Sequence, residues 1–290
     1  MTAAAKDTQI TGGVPEAPPA EPEDEKRMSF MEHLSELRQR LRNAGIAFLL
    51  ATFACFYFAK NLFEFLTRPV RAAWIQAKLA GEPRFNFASM AEPMWVYMKI
   101  ALVFGLLAAS PFIFWEIWKF IAPGLYRKEK RLAFAVTLAT GACFTGGAIF
   151  GYQLIAPKAA YYLLTFAEDF PGTLPLNIEP ALMMNQLFGF LLMLLAGCGV
   201  AFELPVILGM MGWLGLVTTR GLWKFNRFAL VLSVIAGGIL TPGPDVLSQL
   251  LMAGPLFILY NLSIIIVWLL ERRQKKEVEK LDGGPAPDSA

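Results

Sequence analysis

Charged residues are scarce in this sequence, and their scarcity argues against an ordinary soluble protein. Only 17% of the 290 residues are Asp, Glu, Lys or Arg, whereas 56% are hydrophobic. Soluble domains carry about 25% charged residues. Stretches of 16 to 26 residues without any charge recur along the chain. Composition therefore outweighs length and predicts a multi-span membrane protein rather than one or two soluble domains.

Histidine and cysteine are too few for the common metal and nucleophile sites. His33 is the only histidine, and no partner motif accompanies it. A histidine zinc site or a Ser-His-Asp site is therefore not indicated. Cys55, Cys143 and Cys198 lie in apolar runs, at spacings that fit neither a zinc site nor a disulfide framework. Phosphate-binding and hydrolase motifs are missing from suitable contexts. We therefore expect no enzyme activity, no cofactor, no metal and no nucleic-acid partner.

Apolar runs long enough to cross a bilayer are abundant. A span needs about 20 mostly apolar residues to cross roughly 30 Å of hydrocarbon. In the fourth candidate run Pro205 predicts a kink, and the helix should end near Trp213 to Gly215. The fifth run is short for a crossing. The six candidate spans cover approximately residues 44–59, 94–122, 132–157, 181 to between 213 and 215, 228–240 and 246–270.

The distribution of lysine and arginine predicts the orientation of these spans. Basic residues concentrate before span one, between spans two and three, between spans four and five, and after span six. The positive-inside rule then places both termini in the cytoplasm. Residues 60–93 and 160–180 would form two external capping loops. The six-span domain would cover residues 28–271, between a disordered tail at 1–27 and a basic, then disordered, tail at 272–290.

A short cytoplasmic amphipathic helix is predicted before span one. Residues 29–41 carry an apolar stripe at helical spacing, and Glu36 and Arg40 lie on the opposite face. The ordinary interpretation is a membrane-surface anchor, in which Glu36 and Arg40 form an i,i+4 pair worth about 0.3 kcal/mol. Glu129 lies among four basic residues after span two, and an ordinary solvated charge is the corresponding interpretation there.

Two further acidic residues are associated with apolar spans. Glu203 lies inside span four, where an ionisable group is costly and points to function. The structural alternative is a neutral or internally hydrogen-bonded carboxyl that supports the kink at Pro205. Asp245 follows two prolines after span five, and either a functional role or capping of span six explains it.

Four fragments in a fixed order resemble one family. HLSELRQRL before span one, FIAPGLYRKEKR after span two, FELPV in span four and LTPGPDVLSQ between spans five and six are similar to TatC, a subunit of the twin-arginine protein translocase. The resemblance runs from about residue 28 to residue 270 and implies the same six-span topology. Gly124 and the glycine within TPGPD are small departures from the family pattern.

The resemblance implies a receptor, without catalysis, for signal peptides that carry two consecutive arginines. It implies that Glu36 and Glu129 engage those arginines and that Phe120 borders their site. Three more positions match family positions tied to function: Pro69, Glu203 and Asp245. It also implies single-span TatA and TatB partners, contact with membrane lipid, homo-oligomers within the complex, and export of folded proteins across the bacterial inner membrane by the proton-motive force. A proton-coupled secondary transporter of small solutes, with Glu203 as its site, is the alternative.

Overall fold

The protein, seen here in a computed structural model, is built almost entirely of helices. The structure describes residues 30–121, 130–165, 181–241 and 246–282, so the predicted N-terminal tail, Glu129 and Asp245 lie outside the described residues. Two short strands, β1 (Phe85–Asn86) and β2 (Leu182–Met183), pair in parallel. The helices are α1 (Phe30–Tyr57), α2 (Ala59–Gln76), α3 (Glu92–Ile121), α4 (Lys130–Phe150), α5 (Ala156–Thr165), α6 (Met184–Phe202), α7 (Leu204–Trp213), α8 (Thr219–Leu240) and α9 (Val246–Asp282).

Five segments of the described chain are long and apolar enough to cross a membrane. A sixth is obtained when α1 and α2, which meet at 79°, are taken together as one bent pair. Large apolar side chains are exposed along the outside of the bundle, as a surface in contact with lipid requires. The predicted class, an all-α membrane protein, is confirmed. The five segments are Glu92–Phe120, Val136–Thr165, Met184–Trp213, Thr219–Leu240 and Gln249–Lys276.

The first helix joins two segments that the sequence analysis treats separately. We predict a short amphipathic helix over residues 29–41 and a span over 44–59, but α1 is continuous from Phe30 to Tyr57. No proline or glycine lies between the two segments, so nothing breaks the helix. Helix α2 then turns across the end of the bundle, burying Leu66, Val70 and Ala73 and exposing its charged residues. Residues 60–93, predicted as an external capping loop, thus contain a helix with one buried face and one exposed, charged face.

The third span is longer than predicted. We expect it to end at Pro157, yet helical structure continues to Thr165. A π-helical turn over Gly151–Ile155 separates α4 from α5 and places Pro157 in the first turn of α5. The wider π-helical turn directly precedes this proline, which has no N–H to donate to a regular α-helical turn.

The fifth and sixth spans also extend beyond their predicted ends. The prediction that span five is short is wrong, because α8 begins at Thr219 and its 22 residues rise about 33 Å. The hydroxyl of Thr218 caps it by accepting the N–H of Gly221 at 3.2 Å. Lysine and arginine in its first turns do not end the helix, since their long stems reach water from an apolar surface. Span six likewise continues past residue 270, and the basic segment from Arg272 to Asp282 is helical.

Span four is interrupted where the sequence predicts it. Helix α6 ends at Phe202, Glu203 stands at the break, and α7 carries Pro205 in its first turn before ending at Trp213. Proline at the second position of α7 costs no helical hydrogen bond, so the break falls just before it.

The main core lies where α2, α3 and α6 meet. Leu66, Ile100, Phe188 and Leu191 are completely buried there. At the edge of this core the Glu92 carboxylate accepts the backbone N–H of Asn185 at 2.8 Å, which holds the starts of α3 and α6 at the same face of the bundle. Spans α3 and α6 therefore run in the same direction.

Candidate functional site

Helices α1 and α3 pack closely because a glycine lies at their crossing. A Cβ atom on Gly105 would lie 2.5 Å from Oγ1 of Thr52 and 2.7 Å from its Cα. Arg40 lies twelve residues before Thr52, and Glu116 lies eleven residues after Gly105. The two helices run in opposite directions, so both side chains are about 17 Å from the crossing along the helix axes. The crossing thus sets Arg40 opposite Glu116.

Three charged side chains meet at that level, and we call them the α1–α3 charge cluster: Glu36, Arg40 and Glu116. The guanidinium of Arg40 donates from Nη2 to Oε1 of Glu36 and from Nη1 to Oε2 of Glu116, at 3.1 Å in each case. Glu116 is buried, with 4% of its surface exposed, whereas Arg40 and Glu36 are only partly covered. The predicted pair of Glu36 and Arg40 is confirmed. The contact with Glu116 also ties α1 to α3.

The charge cluster is not fully satisfied. Oε2 of Glu36 and Nε of Arg40 are buried, and neither has a hydrogen-bond partner among the described residues. A carboxylate offers about four lone-pair sites, so Glu36 has capacity for another donor. The cluster holds two carboxyl groups and one guanidinium, and a guanidinium is the cation that suits a carboxylate best.

Phe120 lies one helical turn beyond Glu116. The i,i+4 spacing places both residues on the same side of α3, and Phe120 is partly buried. The first turns of α4 pack against this end of α3, because the rings of Trp115 and Phe134 meet edge-on at 5.9 Å. Glu129 directly precedes the first residue of α4 in the sequence but lies outside the described residues. The pairing of Glu36 with Glu129 therefore stays a prediction.

Glu203 is separate from the charge cluster. It is 5% exposed, and neither of its carboxyl oxygens has a hydrogen-bond partner within the described ranges. Its polar neighbours are on α4, namely the thiol of Cys143 and the backbone of Phe144. The position inside an apolar span is as predicted, and the functional role of this acid stays a prediction.

Glycines bring α4 and α6 together beside Glu203. A Cβ atom on Gly147 would lie 2.5 Å from the carbonyl oxygen of Cys198, and one on Gly199 would lie 3.0 Å from the ring of Phe144. Such distances leave no room for a side chain without a shift of the backbone or ring. The carboxyl of Glu203 is therefore held against the backbone of a neighbouring helix.

Pro69 lies inside α2, on the opposite face of the bundle from the charge cluster. A proline removes the helical hydrogen bond to the carbonyl four residues earlier, which here belongs to Phe65. The Tyr152 hydroxyl donates to that carbonyl at 2.7 Å, and the rings of Tyr152 and Phe65 stack at 4.2 Å. By leaving the Phe65 carbonyl free to accept this bond, Pro69 helps to hold α2 against the π-helical turn after α4. Its predicted functional role is not tested by this contact.

Two residues of this arrangement, Glu116 and Tyr152, were not predicted from the sequence as functional or structural contacts. A charge inside an apolar run was the available signal for Glu116, since such a group requires a partner. The signal for Tyr152 was weaker, because only the fold brings it beside the carbonyl that Pro69 leaves free.

Comparison with known proteins identifies a consistent set of relatives. The family model of the Sec-independent protein translocase protein TatC matches residues 32–255. TatC of Aquifex aeolicus is 36% identical over 253 residues, which cover 87% of this chain and all of that protein. TatCy of Bacillus subtilis is 30% identical, over 86% of this chain and 92% of that protein. A crystal structure of the twin-arginine translocase receptor TatC superposes with a TM-score of 0.71 at 35% identity, covering 83% of this chain and all of that one.

Proposed function

The chain belongs to the TatC family of Sec-independent protein translocase proteins, and from that membership we propose that it is the receptor for twin-arginine signal peptides. It is a multi-pass membrane protein and a component of a protein-transport system. We place it in the bacterial inner membrane with both termini in the cytoplasm. It acts without catalysis, beside TatA- and TatB-type single-span subunits and further copies of itself. The proton-motive force drives the export of folded proteins.

The observation that carries this proposal is the unsatisfied carboxylate of Glu36. One oxygen contacts Arg40 and the other has no partner among the described residues, although it is buried. The surrounding cluster has one more acid than base. An arriving guanidinium would supply both the missing donor and the missing charge. Recognition of arginine follows, because its planar fork offers a carboxylate two parallel N–H groups and a lysine does not.

The second arginine of the signal peptide is assigned to Glu129. Support comes from the packing of the end of α3 against the first turns of α4 through Trp115 and Phe134, since Glu129 immediately precedes Lys130, where α4 begins. Phe120, one turn beyond Glu116, would border the site and offer a ring face to a guanidinium, a contact worth about 0.5–1 kcal/mol at an exposed position. The basic neighbours of Glu129 must face away from the peptide or pair with lipid headgroups.

Arginine contacts alone do not provide micromolar affinity. Two charge-assisted hydrogen-bonded contacts contribute about 3–6 kcal/mol together, whereas micromolar binding requires about 8 kcal/mol. The remainder is assigned to the transfer of the apolar segment of the signal peptide from water into the membrane, where it would lie along the exposed apolar faces of the spans. The arginines therefore provide most of the specificity, and hydrophobic contact provides much of the affinity.

Crosslinking of a twin-arginine signal peptide in membranes tests the proposal. We expect Glu36→Ala and Glu129→Ala each to reduce crosslinking strongly. Glu64→Ala is the matched control, because Glu64 is an exposed acid on α2, at the other face of the bundle. It should leave crosslinking unchanged. If both test variants crosslink as well as the parent protein, the receptor assignment is wrong.

A further inference from the structure

We propose that Arg40 acts as a resident substitute for a signal-peptide arginine, and that Glu116 is the carboxylate that retains Arg40 when the peptide takes Glu36. The inference rests on the proposed role of Glu36 as a peptide contact. In the resting protein Arg40 bridges Glu36 and Glu116. In the bound protein the peptide guanidinium pairs with Glu36, and Arg40 stays with Glu116.

The geometry of Arg40 favours exchange over a permanent pair. Each acid receives one terminal nitrogen of the same guanidinium, at 3.1 Å. Neither acid therefore has the bidentate contact that makes arginine–carboxylate pairs strong. A peptide arginine that offers Glu36 two donors would outcompete the single contact from Arg40. Oε2 of Glu36, buried and without a partner among the described residues, is the atom that gains a donor in this exchange.

Glu116 makes the exchange possible without leaving a charge alone. An unpaired charge in a poorly hydrated site is strongly unfavourable. When Glu36 turns to the peptide, Arg40 already has a second acid on α3. Two acids and two guanidiniums are then matched in number, whereas the resting cluster has one acid in excess. Glu116 is too deeply buried, at 4% exposure, to be a first contact for the peptide, so we describe it as a positioning residue.

The proposal predicts an unusual pattern of binding in variants. Glu116→Gln removes the second acid and leaves Arg40 with Glu36 as its charged partner, so Arg40 competes more strongly with the peptide. We expect the Kd for a fluorescent twin-arginine signal peptide to rise about tenfold, the effect of one charge-assisted hydrogen bond. The measurement uses inverted membrane vesicles that contain the full chain in the assembled translocase.

The decisive measurement is a rescue. Adding Arg40→Gln to Glu116→Gln removes the competitor, and the Kd should return to within about threefold of the parent value, since the two sites are directly coupled. A purely structural defect at Glu116 would not be repaired by the loss of a second cluster residue. Glu116→Asp, whose shorter side chain withdraws the carboxylate from Arg40, is the second test should Glu116→Gln fail to assemble, and it should also weaken binding severalfold.

Two outcomes overturn the exchange. One is a parent-like Kd in Glu116→Gln, or in Glu116→Asp where that variant replaces it. The other is a double variant that binds as weakly as Glu116→Gln alone. Glu36→Ala, measured in parallel, separates this failure from failure of the proposed function. If Glu36→Ala binds weakly while Glu116→Gln binds normally, only the exchange is wrong. If Glu36→Ala binds normally, the peptide site itself is misplaced.

Discussion

Glu116 and Glu203 are almost equally buried, at 4% and 5% exposure, yet their surroundings differ. Glu116 shares the guanidinium of Arg40 with Glu36. Glu203 has no hydrogen-bond partner among the described residues and rests against the α4 backbone. Burial alone therefore says little about what an acid in a span does. The partner decides whether the acid is part of an ionic contact or an isolated polar group.

Both acids depend on helices that approach each other at glycines. Gly105 brings α1 against α3 at a crossing about 17 Å along the helix axis from Glu116, and Gly147 and Gly199 bring α4 against α6 beside Glu203. Small residues allow backbones to pack closely in a bundle that lacks a strong hydrophobic driving force between its helices. The same packing thus supports a charge cluster at one site and an isolated carboxyl at the other.

The largest expected effect comes from removing the cation of the charge cluster. Arg40→Ala leaves Glu116 buried without its partner, and we expect the free energy of unfolding to fall by about 3 kcal/mol. Arg38→Ala, an exposed arginine on the same helix, is the control and should change it by less than about 0.5 kcal/mol. Chemical unfolding in mixed micelles measures both. Equal losses in the two variants would show that the cluster does not stabilise the α1–α3 contact.

A smaller effect is expected from the helix crossing. Gly105→Ala forces a methyl group against the backbone of Thr52, and we expect a loss of about 2 kcal/mol. Gly45→Ala is the matched control on α1, where a methyl group meets no atom within 4 Å. There the better helix propensity of alanine should stabilise the protein by up to about 1 kcal/mol. The same unfolding assay measures both variants. If both change the free energy of unfolding in the same direction, the close contact of α1 and α3 at Gly105 is contradicted.

The smallest stability effect is expected at Glu203. Glu203→Met keeps a side chain of similar length and removes an unpartnered polar group. We expect the free energy of unfolding to fall by no more than about 1 kcal/mol, and it should rise if removal of the polar group dominates. Export of a twin-arginine reporter should nevertheless fall if the family role of this position holds, and Glu203→Gln serves as the polar control. A loss as large as that of Arg40→Ala would instead show that Glu203 is a structural acid.

Sequence predicts those features whose stability depends on local composition. It does not predict features that depend on contacts between residues far apart in the chain. Long uncharged runs must leave water, so the membrane class follows directly, and Pro205 cannot continue a helix, so the break at Glu203 follows as well. The start of α8 is missed because charged residues in its first turns look like loop residues in a sequence, yet their long side chains reach water without ending the helix.

The candidate site is only partly predictable for a similar reason. Glu36 and Arg40 are four residues apart on one helix, so their contact is local and can be read from the spacing. Glu116 is 76 residues from Arg40, and only the register of α1 against α3 joins them. The transporter alternative depended on Glu203 alone, and membership of the TatC family replaces it as the basis for function.

The sequence by itself determines that this chain is an all-α membrane protein, and its ordered motifs mark it as TatC-like. The physical reason is that apolar runs and helix breakers act locally and retain their meaning in any fold. Tertiary structure decides which charges meet. A glycine crossing sets Arg40 opposite a buried acid, and a proline frees a carbonyl that Tyr152 then binds. Such contacts depend on distances of a few ångströms between residues far apart in the chain, and helix packing alone establishes those distances.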